Sequence, residues 1–320
     1  MIIVTGGAGM IGSNLIKALN LSGEKEIILV DDLTNGQKVS NISDLIIQDY
    51  IDKDNFIEQI SSGEFFQDAK IVFHLGACSA TTNWDGKYLM QNNYEYSKRL
   101  LKWSQKNYVP FIYASSASVY GLGINGFEEK VCCENPINMY AYSKFLFDQY
   151  VRRIFKNKTS QIVGLRYFNV YGPREQHKIS MASTIYHFNA QIEKFNKCQL
   201  FRGIDGFANG EQKRDFVYVK DCVSVKLWFM KNIQKSGIFN VGTGKSHTFN
   251  EVAESVIKWH KDNFNKFGEI EYIDFPKHLL GSYQSFTKAN INNLRNSGYK
   301  DTFMDISQGV CEYLNNYYNK

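Results

Sequence analysis

Residues 1–12, MIIVTGGAGMIG, decide the fold. Ile2, Ile3 and Val4 read as a short buried strand that runs straight into Gly6, Gly7, Gly9 and Gly12, and the apolar positions from Ile11 to Leu19 follow as a helix. Strand, glycine turn and helix in that order bring backbone N–H groups and a helix N-terminus to face a pyrophosphate, because glycine permits the tight turn and the close approach. Such a turn alone can be structural. Here Glu26 to Val30 form a second strand that ends at Asp31, about twenty residues beyond the turn, where an acid can bind ribose hydroxyls of a dinucleotide.

Outward from that unit, strand-like runs at Leu45–Ile47, Ile71–Leu75, Phe111–Ala114 and Ile162–Phe168 alternate with helical patterns around Asn92–Gln105 and Tyr140–Ile154. The alternation predicts an α/β fold, a doubly wound parallel sheet of the Rossmann kind. After Phe168 the spacing becomes irregular, with helices over Met181–Phe195 and Asn250–Phe264 separated by a loop-rich insertion. Arg214 to Val219 predicts a strand, with a helix from Asp221 and another strand at Gly237–Val241. The chain thus divides into a dinucleotide-binding domain over residues 1–168, rejoined by about 214–243, and a smaller substrate-binding lobe over 169–213 and about 244–320. The final helix can pack back on the first domain.

Composition narrows the function. A chain of 320 residues with 43% apolar and 22% charged content is an ordinary soluble enzyme, and no run of about 18 apolar residues exists to cross a membrane. The opening apolar run stops at glycine and lacks a basic leader, so the cytoplasm is the expected location. Cys78, Cys132, Cys133, Cys198, Cys222 and Cys311 lack metal-type spacing and scaffold density, which predicts reduced, mostly buried thiols and no metal. A net charge of +5 mixed among 32 acids makes nucleic acid an unexpected partner, whereas an anionic nucleotide diphosphate is compatible.

The chemistry centres on Tyr140-Ala141-Tyr142-Ser143-Lys144. Four residues is close to one helical turn, so phenol and ammonium share a face and the cation favours the phenolate, making Tyr140 a base usable near neutral pH. Alone, the pair reads as a solvated lysine beside a half-buried tyrosine; the nucleotide turn reverses that reading. Hydride leaves a carbinol carbon easily only if the hydroxyl proton leaves with it, so a base and a hydrogen-bonding group must meet at that oxygen. Ser116 is the candidate for the second group, with a plain loop serine as its alternative.

The glycine turn, the Tyr140/Lys144 pair, and the segments Tyr113 to Gly121 (YASSASVYG), Arg166 to Arg174 (RYFNVYGPR) and Arg214 to Val219 (RDFVYV) together resemble the extended short-chain dehydrogenase/reductase family over nearly the whole chain. The resemblance implies that Ser116 hydrogen-bonds the reacting hydroxyl, Tyr140 is the acid/base, and Lys144 holds the nicotinamide ribose while lowering the phenol pKa. Gly172 to Ser183 (GPREQHKISMAS), His74 to Gly86 (HLGACSATTNWDG), Tyr142 to Asp148 and Gly281 to Thr287 are similar, more narrowly, to the ADP-L-glycero-D-manno-heptose 6-epimerase family. That likeness implies an isomerase that inverts C6 of the heptose in ADP-glycero-manno-heptose. The route is transient oxidation to a 6-keto intermediate with tightly bound NADP, NAD being possible, and re-reduction on the other face. The product supplies the inner core of bacterial lipopolysaccharide, and the enzymes tend to form homo-oligomers.

In that family the lysine matching Lys178 is a second acid/base. Inversion removes hydride from one face and returns it to the other, so the oxygen ends elsewhere and one base cannot easily serve both positions. A loop lysine contacting phosphate is the alternative for Lys178, and His177 beside it reads as structural or solvated. The resemblance further implies cofactor contacts at Gly6, Gly9, Met10, Ile11 and Gly12, at Asp31, Asp32, Lys38 and Lys53 near the adenosine end, and at Leu75, Gly76, Ala77, Cys78, Ser79, Asn92, Lys144, Val170 and Lys178. Substrate contacts fall at Asn169, Ser180, His187, Phe201, Arg202, Gly203, Ile204, Arg214 and Tyr283, a bidentate guanidinium suiting a diphosphate.

Three departures stand out. Asp32 replaces a common Asn and opposes a 2′-phosphate that Lys38 and Lys53 attract. The Gly206 to Gln212 loop exceeds the family pattern, and Ser282 stands where a basic residue is frequent. Rival functions share the scaffold. A 4,6-dehydratase needs acids beside the catalytic serine, where Ala117 and Ser118 stand. A UDP-hexose 4-epimerase has no use for Lys178, and a non-catalytic dinucleotide sensor has none for Ser116, Tyr140 and Lys144 together.

Overall fold

The computed structural model describes residues 1–62, 66–277, 281 and 283–319. Strands β1 (Ile2–Thr5), β2 (Ile27–Asp31), β3 (Asp49–Asp52), β4 (Ile71–His74), β5 (Phe111–Ser116) and β6 (Ile162–Tyr167) form one parallel sheet. Its order is β3-β2-β1-β4-β5-β6, closed at the far edge by the strand Gly237–Val241. Helices α1 (Met10–Leu21), α2 (Val39–Ile42), α3 (Lys53–Ser62), α4 (Gly86–Leu89), α5 (Tyr96–Lys106) and α6 (Met139–Ile154) make the crossovers. One apolar cluster, with Val4, Leu29 and Phe73, covers one face of the sheet, and another, with Ile3, Val72 and Phe111, covers the other. Burial on both faces explains why these strands read as continuous apolar runs. Chain order reverses between β1 and β4, which opens a crevice at the carboxyl ends of the strands.

Beyond β6, strand β7 (Asn169–Tyr171) pairs in parallel with Phe216–Tyr218, and β8 (Lys197–Phe201) pairs with Glu269–Ile273. Helices α7 (Thr184–Phe195), α8 (Val219–Lys231), α9 (Phe249–Phe264), α10 (Asn292–Asn296) and α11 (Ile306–Tyr318) complete the chain. A third core, with Ile185, Phe188, Val252, Val256 and Tyr313, joins α7, α9 and α11 to β7. The final helix therefore packs within this group.

Four expectations need correction. The strand expected at Leu45–Ile47 lies at Asp49–Asp52: an edge strand pairs on one side only and can be polar, while Leu45 and Ile47 pack under the core from the preceding loop. The run Arg214–Val219 is broken by Asp215, a fully buried carboxylate that accepts N–H bonds from Thr243 (2.7 Å), Gly244 (2.9 Å) and Ala289 (3.0 Å). Lys213–Arg214 consequently pairs antiparallel with His247–Thr248, and α8 starts at Val219 instead of Asp221. The helix expected from Met181 begins at Thr184, because Ser183 caps it by accepting the Tyr186 N–H at 3.3 Å. The helix around Asn92 opens on a π-helical turn over Met90–Glu95.

The deepest polar feature is Arg166, without exposed surface. Its Nε donates to Asp148 at 2.9 Å and its Nη1 to the Tyr120 hydroxyl at 3.0 Å, and Glu134 takes Nη2. Asp148 also accepts the Tyr113 and Ser115 hydroxyls, each at 2.8 Å. Removing the cation leaves the buried Asp148 with hydroxyl partners and no arginine, while Glu134 keeps Arg152, so Arg166→Met is expected to cost about 3–5 kcal/mol in urea unfolding. Lys98→Ala, which breaks the surface pair with Glu95, is expected to cost under about 1 kcal/mol. Equal losses in the two variants would contradict this account.

Candidate active site

The glycine turn is built by close approach. A Cβ on Gly12 would stand 2.1 Å from the Gly6 carbonyl oxygen, and one on Gly6, at φ +66°, would stand 2.6 Å from Gly76 N. Helix geometry leaves the N–H groups of Met10, Ile11 and Gly12 without intrahelical acceptors, and the N-cap, Gly9, has no side chain to take them. They face a cleft of about 590 Å³ lined by Gly6, Gly9, Met10, Ile11 and Gly12. The fit to a pyrophosphate is therefore good.

At the adenosine end, Asp31 is largely committed. Its Oδ2 accepts the Ala8 N–H at 2.8 Å, and its Oδ1 accepts Asp32 N at 2.7 Å and Lys38 Nζ at 2.8 Å. Lys38 also donates to the Asp32 carbonyl at 2.7 Å, while Lys53 pairs with Asp54 at 3.0 Å. Asp31, Asp32, Lys38, Lys53, Gly76, Ala77, Cys78 and Asn92 share a second cleft of about 340 Å³. Hydrogen bonds from Thr34 hold the Asp32 carboxyl below its ordinary range, and two lysines and two aspartates share the cleft.

Three contacts fix α6 against β5. Asn138 caps the helix, accepting the Ala141 N–H at 2.8 Å, and so places Tyr140 in the first turn. One turn apart on one face, Tyr140, Lys144 and Asp148 meet consecutive parts of β5: Tyr140 hydrogen-bonds Ser116, Lys144 Nζ donates to the Ala114 carbonyl at 2.8 Å, and Asp148 holds Ser115. Ser116 Oγ also accepts from Ser118 N at 3.2 Å. Burial pushes the Lys144 ammonium down to about 8, against the opposing pull of Asp148. The expected lowering of the Tyr140 phenol is not what this geometry gives: burial pushes it up, the Ser116 hydrogen bond opposing, with Lys144 turned to Ala114. A dinucleotide ribose that drew the ammonium off Ala114 would restore the cation to the phenol.

Lys178 lines the same cleft, along with Asn169, Val170, Leu75 and Ser79. It sits in a 3-10 turn over Gln176–Met181, its Nζ 3.5 Å from Met10 Sδ. Burial pushes its ammonium down, Glu175 opposing. His177 is no solvated histidine: its Nδ1 is 2.9 Å from Asn41 Nδ2, and burial, with Lys178 and Lys38 nearby, pushes it down to about 4.

A third cleft, of about 410 Å³, adjoins through Asn169 and holds Ser180, His187, Phe201, Arg214 and Tyr283. The Arg214 guanidinium lies 4.6 Å from the centre of the Tyr283 ring, and burial pushes it down, Tyr283 opposing. Arg202, Gly203 and Ile204 lie outside these three clefts: Arg202 pairs with Asp274 at the surface, at 2.8 Å, and a Cβ on Gly203 would stand 1.9 Å from the Phe207 carbonyl oxygen. The Gly206 to Gln212 loop folds back, Gly210 N donating to Phe201 O at 3.1 Å. Ser282 lies outside the described residues. All six cysteines are free, with Cys133, Cys198 and Cys222 buried but Cys132 and Cys311 exposed.

Several supporting residues had no signal in the sequence. Asn93, in the π-turn, accepts Cys78 N at 2.8 Å and donates to Ser143 Oγ at 3.0 Å, tying the 75–79 loop to α6. Glu175, fully buried, accepts Ser183 N and Oγ at 2.6 and 2.7 Å.

A doubly wound sheet with a glycine turn and a Ser–Tyr–Lys set at its carboxyl edge defines the short-chain dehydrogenase/reductase class. The chain belongs to the NAD dependent epimerase/dehydratase family, whose model matches residues 2–242. It is 54% identical over 314 residues to the ADP-L-glycero-D-manno-heptose-6-epimerase of Alkalilimnicola ehrlichii, covering 98% of this chain and 96% of that protein. Among solved structures it resembles the Helicobacter pylori ADP-L-glycero-D-manno-heptose-6-epimerase with a TM-score of 0.82 at 30% identity, over 98% of this chain and 95% of that one. The UDP-N-acetylglucosamine 4-epimerase of Methanobrevibacter ruminantium M1 follows the same fold, with a TM-score of 0.84 at 25% identity over 99% and 98% of the two chains. No helix among the described residues is long and apolar enough to cross a membrane.

The buried Lys144 makes stability depend on pH. Its folded value, about 8, lies below its ordinary 10.5, so between these values the unfolded chain binds more protons and stability rises with pH. Below about 8 the cost of burying the charge is fully present. In the dinucleotide-free protein, Lys144→Met is expected to be the more stable at pH 7, and its advantage should shrink by on the order of 2–3 kcal/mol between pH 8 and 10.5. Urea titrations of both proteins across that range check this; a constant difference would rule it out.

Proposed function

We propose that this chain is an isomerase that inverts C6 of the heptose in ADP-glycero-manno-heptose, as the name of its 54% identical relative suggests. The observation that carries the reading is Lys178, brought into the same cleft as Ser116, Tyr140 and Lys144 on a separate segment of the chain. A bound nicotinamide dinucleotide would accept hydride from C6 and return it. Ser116 and Tyr140 hold the C6 hydroxyl on one side, and the Tyr140 phenolate, favoured once the Lys144 ammonium is drawn off Ala114, takes its proton as the 6-ketone forms. The ketone then turns about the C5–C6 bond, and the Lys178 ammonium donates to the oxygen in its new place. The Lys178 amine, already lowered by burial, can give and take a proton closer to neutrality than a solvated lysine. Asn169, Ser180, His187, Phe201, Arg214 and Tyr283 form the ADP side of the substrate site. In the same proposal, residues 1–168 with about 214–243 bind the dinucleotide, the rest binds the sugar nucleotide, and the enzyme works as a cytoplasmic homo-oligomer in lipopolysaccharide precursor synthesis.

A 4-epimerase turns its whole ketosugar over and needs no Lys178, which is where the two functions part. Tyr140→Phe and Lys178→Met are each expected to lose about two to four decades of epimerisation without loss of fold. With an aldehyde analogue of the 6-ketone, which is oxidised as its hydrate and reduced directly, either single variant should still disproportionate and only the double variant fail. NMR of isomer interconversion and of the two aldehyde products measures both. Full epimerisation by Lys178→Met would move the chain to the 4-epimerase function.

Epimerisation has no net redox change, so the purified protein should carry dinucleotide and turn over without added cofactor. Lys38 and Lys53 beside Asp32 favour NADP over NAD, and Lys38→Ala should weaken that preference by about 1 kcal/mol. Mass measurement of the released dinucleotide decides: NAD alone would assign the choice to Asp31 and Asp32.

A further inference from the structure

The segment carrying Lys178 is strained and heavily tied. Arg174 and Ile179, on either side of it, hold φ values of +70° and +51°, which a β-branched isoleucine adopts only when its surroundings impose it. On the amino side Glu175 holds Ser183, while Pro173, Arg174 and His177 are tied toward the dinucleotide turn and α2 beside it. Asn14 donates to the Pro173 carbonyl at 3.0 Å and to the Met10 carbonyl at 2.8 Å. Arg174 donates to the Asn41 carbonyl and to Asp44. Asn41, 1% exposed, uses one amide nitrogen twice: Nδ2 donates to the Ala8 carbonyl at 2.9 Å and to His177 Nδ1 at 2.9 Å. The ring next to Lys178 is thus one hydrogen bond away from a residue that is itself bound to the phosphate-facing turn.

We propose that His177 is a positioning residue for Lys178, registering the amine on the dinucleotide turn through Asn41 and Ala8. The inference rests on Lys178 serving as the second proton donor. Asn41 spends both hydrogens of Nδ2 on acceptors, so Nδ1 of His177 must be unprotonated and the ring neutral. A bound dinucleotide would rest its pyrophosphate on the turn that Ala8 belongs to, so a donor registered on that turn would keep its distance to the reacting oxygen when the turn shifts. A donor displaced by about 1 Å can lose up to two decades of rate, which gives the hydrogen bond its leverage.

Kinetics at saturating dinucleotide test this. His177→Leu removes the acceptor and should lower kcat about tenfold or more while KM stays within about twofold and bound dinucleotide is unchanged. His177→Asn, whose Oδ1 offers Asn41 an acceptor at similar reach, should recover most of the kcat. Wild-type kcat in His177→Leu, equal impairment of the Leu and Asn variants, or a loss confined to KM or to dinucleotide content would each overturn the proposal. Asn41→Ala cuts the same bond from the other side and decides the matter if His177→Leu does not fold: a matching fall in kcat supports the proposal and an unchanged kcat overturns it. Lys178→Met in the same assay separates the two levels. Full activity there removes the two-base function itself, whereas an inactive Lys178→Met beside an unimpaired His177→Leu overturns only the role of His177.

Discussion

The bond between Arg166 and Asp148 is the constraint on which the rest of the site depends. Asp148 cannot stay charged without exposed surface unless a cation meets it, and Arg166 does so from β6 while Tyr113 and Ser115 do so from β5. One carboxylate therefore locks the rotation and height of α6 against two adjacent strands. Lys144 and Tyr140 lie one and two turns upstream on the same face, so fixing Asp148 on Ser115 brings Lys144 to Ala114 and Tyr140 to Ser116. The spacing of Ser116, Tyr140 and Lys144 in the cleft follows from an ion pair outside its lining.

How much was legible in the sequence depended on the range of the forces involved. The glycine turn, the order of strands and helices, and the Tyr140/Lys144 spacing could be read because backbone sterics and helical period act over a few residues. Lys178 came from a resemblance and not from any local pattern. Where tertiary packing decided, reading failed: an apolar triplet at Leu45–Ile47 looked like a strand, yet polar Asp49–Asp52 took the edge, because pairing to β2 needs backbone and not hydrophobicity. Asp215 broke a run that periodicity made continuous, for N–H donors lying 28 to 74 positions away. Asn41, Asn93 and Glu175 are ordinary polar residues in sequence and become supports only where the fold gives them acceptors and donors.

Electrostatics ties the second wall of the cleft to the first. Lys144 and Lys178 are both pushed toward their neutral forms by burial, and Lys38 is held by Asp31. An anionic dinucleotide entering among them would favour each ammonium, so the cleft stores an affinity for negative charge that water does not satisfy. The same argument accounts for the raised phenol of Tyr140, whose partner cation points at a carbonyl until something negative or polar draws it off. The proton chemistry of the site is thereby linked to the presence of the ligand that makes the chemistry useful.

The sugar-facing side is continuous with this wall because β7 leaves β6 after only Phe168 and pairs with Phe216–Tyr218, whose next residue starts α8 under the main sheet. Asn169 sits at that junction and lines both the first and the third cleft. Asp215, which ends the Arg214 strand, also accepts from Ala289 and lets Asn169 N reach its carbonyl at 3.0 Å. The third cleft is thus joined to the first through the backbone that continues the sheet. Ser116, Tyr140 and Lys144 stand on β5 and α6, whereas Lys178 stands on a loop tied to α1 and α2 through Pro173 and Arg174, so its place in the cleft depends on those ties.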